Sequence, residues 1–155
     1  MKKAGPFIIV VLVFVTALFV NMRVCRLSEV SGDSMYPNYK NGDVVVVSLS
    51  KKEINRFDVV VFNDEETNKF LIKRVIGLPG EKVQIIDDYI LVNDILIDDY
   101  VHVSMGTAGL AKDEIELGEN EYFVLGDNRT NSKDSRMLGA INVDDMIGKA
   151  VYKIS

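Results

Sequence analysis

The chain has one cysteine, one histidine, three prolines and no tryptophan in 155 residues. A single thiol, Cys25, cannot close an internal disulfide, and with His102 as the lone imidazole there is no Cys/His set for a zinc site. Glycine and proline are too few for a low-complexity chain. With 48% hydrophobic and 26% charged residues, there is enough apolar surface for a folded core. The length suits one domain, and no internal repeat or Pro- or Ser-rich linker divides it.

Positive charge is scarce where nucleic acid would need it. Residues 1–26 carry Lys2, Lys3, Arg23 and Arg26 and no acid, a net +4. Of the 18 basic and 23 acidic side chains, 14 basic and all 23 acidic ones therefore fall in residues 27–155, a net −9. Phosphate binding draws its strength from Lys and Arg, so nucleic acid is not an expected partner.

Long apolar runs are missing except at the start. Residues 7–20 are apolar save Thr16, and widening the run to 4–22 gives 19 residues and admits Asn21. At 1.5 Å per residue that is about 28 Å, close to the roughly 30 Å hydrocarbon thickness of a bilayer. Lys2 and Lys3 precede the run and Arg23 and Arg26 follow it, which predicts a single membrane-spanning helix with the lipid bilayer as a partner. A cleavable leader would need paired small residues before its cut, and Thr16-Ala17-Leu18-Phe19-Val20-Asn21 offers no such pair. Basic residues on both flanks leave the orientation undecided by charge, and a long following domain can translocate whatever its charge. The chain thus divides into an anchor, 1–26, and a domain, 27–155.

That domain reads as mainly β. Short runs rich in Val, Ile, Phe and Tyr occupy 43–48, 58–62, 70–77, 82–86, 89–92, 95–97, 121–126 and 147–154, parted by Gly, Asn, Asp or Pro. Asp87-Asp88 and Asn93-Asp94 predict consecutive tight turns, since short Asx side chains tolerate turn dihedrals. No segment after the anchor keeps an apolar 3.6 period beyond a turn or two. The expectation is an antiparallel sheet folded over on itself, barrel-like, which hides its edges. Residues 104–112 predict a solvated, glycine-containing loop.

Three segments carry groups fit for chemistry. Ser31-Gly32-Asp33-Ser34-Met35-Tyr36-Pro37 is by itself a polar turn, and its serines are weak nucleophiles until something removes a proton. Lys73 stands inside the apolar strand run 70–77. Alternation puts it on the face of Leu71 and Val75, with Arg74 beside Ile72 and Ile76 on the other. Such a lysine guards a strand edge, or its apolar neighbours desolvate it, lower its pKa and free its amine as a general base. The third segment, 126–139, is a dense polar block whose Asp134 and Arg136 form either an exposed ion pair or part of a braced site. His102, among acids at a strand end, is a poorer partner for Ser34 than Lys73.

Together the blocks resemble the bacterial type I signal peptidases, membrane-anchored Ser/Lys endopeptidases that remove signal peptides from exported preproteins. They occur in that family's order: the apolar N-terminus, G-D-S-M-x-P at 32–37, G-D-V-V-V-V at 42–47 and K-R-V-I-G-L-P-G-E at 73–81. V-N-D-x-x-I-D-D-Y at 92–100 and G-D-N-R-T-N-S-K-D-S-R-x-x-G at 126–139 complete the set. The resemblance implies Ser34 as nucleophile, its backbone N–H as an oxyanion donor, and Lys73 as general base. It further implies Ser132 as the hydroxyl that orients the amine, Asp134 with Arg136 as the adjoining pair, and Asp127, Asn128 and Arg129 as shapers of the loop. It implies no metal and no cofactor, and a catalytic domain on the extracytoplasmic side of the cell membrane.

An extended signal peptide is expected to add as a strand beside 70–73, with Met35, Phe70, Leu71 and Ile72 at the substrate. Gly32 stands where some members place a second oxyanion-hole serine. Ser31 stands one residue too early to be taken as equivalent, so the resemblance does not assign the second donor; the glycine is similar to the Gram-positive branch. The chain also lacks room for the large cap of the long Gram-negative members. One alternative is a self-cleaving Ser/Lys repressor, which would carry a DNA-binding domain where the bilayer-length run stands. The other is a membrane-tethered, inactive relative acting as a pilus or surface-protein assembly factor, which would have no need of both dyad residues.

Overall fold

In a computed structural model of the chain, residues 24–64, 67, 69–99, 101 and 104–154 are described. The expected anchor helix over 4–22 and His102 lie outside these residues. Among the described residues no helix is long and apolar enough to cross a membrane. The strands are β1 (Cys25–Glu29), β2 (Val44–Ser48), β3 (Val59–Asp64), β4 (Lys69–Gly77), β5 (Lys82–Ile86) and β6 (Tyr89–Val92). They continue as β7 (Ile95–Leu96), β8 (Ile115–Glu116), β9 (Glu121–Leu125), β10 (Ile141–Asn142) and β11 (Met146–Ile154), with one helical turn, α1 (Ser135–Leu138). A seven-stranded sheet runs β1-β2-β11-β3-β4-β9-β10 and a four-stranded one β7-β6-β5-β8, and every strand pair is antiparallel.

The expected all-β, antiparallel domain is present. It is folded over rather than closed into a barrel, because β1 and β10 end the larger sheet and no ladder joins them. β2 shows why its valines make a strand: Val45 and Val47 point into the core while Val44 and Val46 stay partly exposed, the period-2 pattern of a one-sided sheet. β3 is buried on both faces, Val60 and Phe62 in one apolar cluster and Val59 and Val61 in another. A third cluster, with Val83, Ile85, Ile90 and Val92, packs the smaller sheet onto Ile76, Phe123 and Leu125 of the larger. The turns at Asp87-Asp88 and Asn93-Asp94 have positive φ at all four residues (47°, 69°, 52° and 64°), as two-residue hairpins with a primed turn demand.

Two local expectations need correction. Cys25 and Arg26, assigned to the anchor, belong to β1, a strand that Cys-Arg-Leu-Ser-Glu does not announce because only the pairing with β2 orders it. Two-residue β8 and β10 are likewise products of pairing. The 104–112 segment is a solvated connection only in part: Met105 and Ala111 are buried in the core of the smaller sheet, and residues 109–112 form a 3-10 turn.

β4 explains where a site can form. It pairs with β3 from Lys69 to Arg74, but with β9 only at Arg74, Val75 and Gly77. From Lys69 to Lys73 its other edge carries no strand, and neither does the outer edge of β1. The curl of the sheet brings these two free edges together, with the Arg26 guanidinium of β1 5.3 Å from the ring centroid of Phe70 on β4.

The curl depends on close backbone approach at Gly148 of β11, where an added Cβ would lie 1.9 Å from the Ser48 carbonyl oxygen of β2. Backbone cannot swing aside as a side chain can. Gly148→Ala is expected to cost about 2–3 kcal/mol in denaturant unfolding. A loss below about 0.5 kcal/mol, ordinary for a surface change, would show that the strands need not approach so closely.

Candidate active site

Ser34 sits on a tight turn between β1 and β2, closed at its base by Val30 N–H to Asp43 C=O (2.8 Å) and Gly42 N–H to Val30 C=O (2.9 Å). Met35, wholly buried, nails the turn into the cluster of Val30, Val45, Val47, Val59, Val61 and Ile72. Gly32, at φ 85°, supplies a backbone bend that a side chain would resist. Inside the turn Tyr36 N–H bonds the Asp33 carbonyl (3.1 Å), and Asn128 N–H from the polar loop bonds the Ser34 carbonyl (3.0 Å). Among the described residues the Ser34 N–H itself donates to nothing.

Lys73 comes from the free half of β4 and is 1% exposed. Its Nζ donates to Ser34 Oγ and to the Ile72 carbonyl, each at 2.7 Å. Burial lowers the amine's pKa from 10.5 to about 8, against the opposing fields of the Asp134 and Asp127 carboxylates. The amine is thus held beside a serine hydroxyl in a state that neutralises near physiological pH.

The 126–139 block wraps behind this pair. Asp134, 0% exposed, caps α1 through Arg136 N–H (3.2 Å), accepts Gly126 N–H (3.0 Å), and takes two Arg136 guanidinium bonds at 2.8 Å each. Arg136 also donates to the carbonyls of Met105 and Arg129, both at 2.6 Å, so the 104–112 segment braces the site. Arg129 donates to the Gly126 carbonyl (2.9 Å) and pairs with Asp99 at 2.5 Å, off the line of a hydrogen bond. Asp127 takes two bonds from Arg74 (2.8 and 2.6 Å) and one from Asn38 (2.8 Å), tying β4 to the Ser34 turn. Gly126 must lack a side chain: a Cβ there would stand 2.2 Å from Ser132 Oγ and 2.5 Å from the Ser34 carbonyl oxygen.

A narrow cleft of about 30 Å³ opens between the two free edges. Phe70, Leu71, Ile72 and Lys73 line one wall, Ser28 to Ser31 with Ser34 the other, and Val45 and Val61 also line it.

Of the residues singled out from sequence, Ser34, Lys73, Phe70, Leu71 and Ile72 therefore meet at one cleft, with Asp134 and Arg136 packed behind. Met35 differs, lying buried beneath the cleft rather than on its lining. Ser132 is at the site, but its Oγ is buried with no hydrogen-bond partner and makes no bond to Lys73. Sequence reasoning left Arg74 and Asn38 without roles and missed the β1 wall. For Arg74 a signal existed, since alternation puts a second cation beside the lysine with its charge to satisfy; for Asn38, 89 residues from Asp127, there was none.

The signal peptidase, peptidase S26 family matches residues 2–154. Signal peptidase I V of Bacillus subtilis is 36% identical over 96% of this chain and 96% of its own length. Signal peptidase IB of Staphylococcus aureus is 30% identical over 90% of this chain and 83% of its own. The crystal structure of a signal peptidase I from Enterococcus faecalis superposes with a TM-score of 0.55 at 32% identity, covering 66% of this chain and all of that one.

The Asp134–Arg136 pair is buried, so breaking it should be costly. Asp134→Ala strands the Arg136 guanidinium and the Gly126 N–H, and a loss of about 3–5 kcal/mol is expected in thermal or denaturant unfolding. A loss below about 1 kcal/mol would return the pair to an exposed one.

Proposed function

The chain belongs to the signal peptidase, peptidase S26 family of serine endopeptidases, and we propose that it removes signal peptides from exported preproteins with Ser34 as nucleophile and Lys73 as general base. The observation that carries this is the 2.7 Å contact between a buried, pKa-lowered amine and the hydroxyl of the family's G-D-S-M serine. The neutral Lys73 amine takes the Ser34 proton as Oγ attacks the scissile carbonyl. The resulting oxyanion faces the free N–H of Ser34, a donor of the kind commonly worth about 3–4 kcal/mol in the transition state. Collapse expels the mature protein's amine, which receives the proton from the Lys73 ammonium. The amine then activates the water that hydrolyses the ester. Ser132, buried and unpartnered beside Gly126, is the hydroxyl left to steady the amine during these transfers.

The cleft suits an extended substrate. A strand entering between β1 and β4 finds unpaired backbone groups on both sides and binds without its sequence being read. The cleft beside the dyad is narrow, and a narrow pocket favours small residues at the cut. The apolar run 4–22, ending just before β1, would anchor the domain to the cell membrane by a single pass, on the extracytoplasmic side where preproteins emerge. Sharing a membrane with the substrate raises their effective concentration. No observation favours an inactive assembly factor, since both dyad groups stand in contact. Cleavage of a purified preprotein by the wild type and not by Ser34→Ala is the direct test; equal cleavage by both would end this reading.

Because Lys73 must be neutral to act, turnover should rise with pH through about 8. Lys73→Arg should be folded and inactive, as guanidinium stays protonated. The folded amine titrates below the unfolded value of 10.5, so the folded state binds fewer protons between about 8 and 10.5 and gains stability as pH rises there. Below that window the buried ammonium is a cost, so Lys73→Met should melt above wild type at pH 7. A folded Lys73→Arg with near-normal turnover would remove Lys73 from the role of base.

Specificity follows from the cleft. In a panel of preproteins varied at the residue before the cut and two positions earlier, Ala and Gly should be processed and Phe and Leu refused, because a filled pocket excludes bulk sterically. Equal cutting after Phe and Ala would show that the cleft does not select.

A further inference from the structure

The cleft has an outer end as well as a catalytic one, and the outer end is charged. Four antiparallel pairings separate β1 from β4 (β1/β2, β2/β11, β11/β3, β3/β4), so β1 and β4 run parallel to each other, both toward the dyad. At their starting ends Arg26 lies across Phe70, 5.3 Å from guanidinium carbon to ring centroid, while the Phe70 side chain keeps 52% of its surface exposed. The contact joins the two rims between which a substrate strand must lie. It is a cation–π contact, which leaves the positive charge of Arg26 unneutralised by the ring.

We propose that the Arg26–Phe70 pair is a specificity element that reads the substrate about four residues upstream of the cleaved bond and disfavours a basic side chain there. This rests on the reading of the cleft as the seat of the substrate strand. Phe70 precedes Lys73 by three residues, and extended chains advance together at about 3.3 Å per residue. For a substrate strand running parallel to β1 and β4, with the residue before the cut at Lys73, the one beside Phe70 is the fourth upstream. A Lys or Arg at that place meets a like charge held on the rim of the cleft, whereas an apolar side chain packs on the ring and a carboxylate pairs with the guanidinium. The element therefore admits neutral or acidic segments and delays cutting where a basic residue stands close to the bond.

The test uses the full chain in detergent and one preprotein carrying Leu, Glu or Lys at the fourth or fifth residue before the cut. For the wild type, kcat/KM should fall about tenfold from Leu to Lys and not fall from Leu to Glu. Arg26→Gln should bring the Leu-to-Lys ratio within about threefold, and Arg26→Lys should keep most of it. Raising salt from 50 to 500 mM should shrink the wild-type ratio, because exposed charges are screened over roughly 10 Å at 0.1 M. If Arg26→Gln does not fold, the salt series on the wild type decides by itself. Cleavage of all three substrates with a ratio that neither Arg26→Gln nor salt changes would overturn the proposal and leave the signal-peptidase reading intact. Cleavage of none would overturn both.

Discussion

A lysine with only 1% of its surface exposed is the constraint around which the site is built. Burial favours the neutral amine and so creates a base that a solvated lysine cannot be, but it also makes the ammonium form unfavourable. The protein tempers that cost rather than removing it. Two carboxylates, Asp134 and Asp127, raise the amine's pKa from a distance while each is bonded to its own arginine, so neither forms an ion pair with Lys73. Direct pairing would have held the proton on the amine. Desolvation remains the larger influence, and the amine titrates at about 8.

Holding the two carboxylates in place accounts for most of the polar architecture. Asp134 and Arg136 exchange three hydrogen bonds, one of them the cap of α1, and Arg136 reaches on to carbonyls of residues 105 and 129. Asp127, through Arg74 and Asn38, ties the strand of Lys73 to the turn of Ser34. The polar loop, the Ser34 turn and β4 are thereby one braced unit, and Gly126 is the point at which loop and turn come too close for any side chain. Such preorganisation is what a dyad with no third acidic partner in contact requires, since the relative position of two groups carries the chemistry.

The sheet contributes the opening. Direct pairing of β1 with the free half of β4 would leave no open edge for an extended peptide. Folding over without closing keeps two parallel, unpaired edges facing each other, with the dyad at one end and a cation on an aromatic ring at the other. Free edges are usually an aggregation hazard, and here Lys69 and Arg26 stand on them as charged side chains that discourage pairing with other chains.

Much of this was legible in the sequence because it depends on local rules. Valine-rich runs of strand length, the aspartate and asparagine turn pairs, and a lysine flanked by apolar residues are readable from neighbours alone, and all appear where the pattern puts them. The order of the blocks pointed to the dyad and its supporting pair by resemblance. Other features depended on elements distant in the chain. β1 exists because β2 offers it an edge, and its composition alone predicts no strand. Met105 and Ala111 of the 104–112 segment are buried and the Met105 carbonyl holds Arg136, a role that a glycine-containing stretch does not advertise. Asn38 finds Asp127, and Arg26 finds Phe70, only because the sheet curls until those positions meet. Local propensity and periodicity are written residue by residue, whereas pairing across a cleft depends on strand order and sheet curvature, which only the packed core decides.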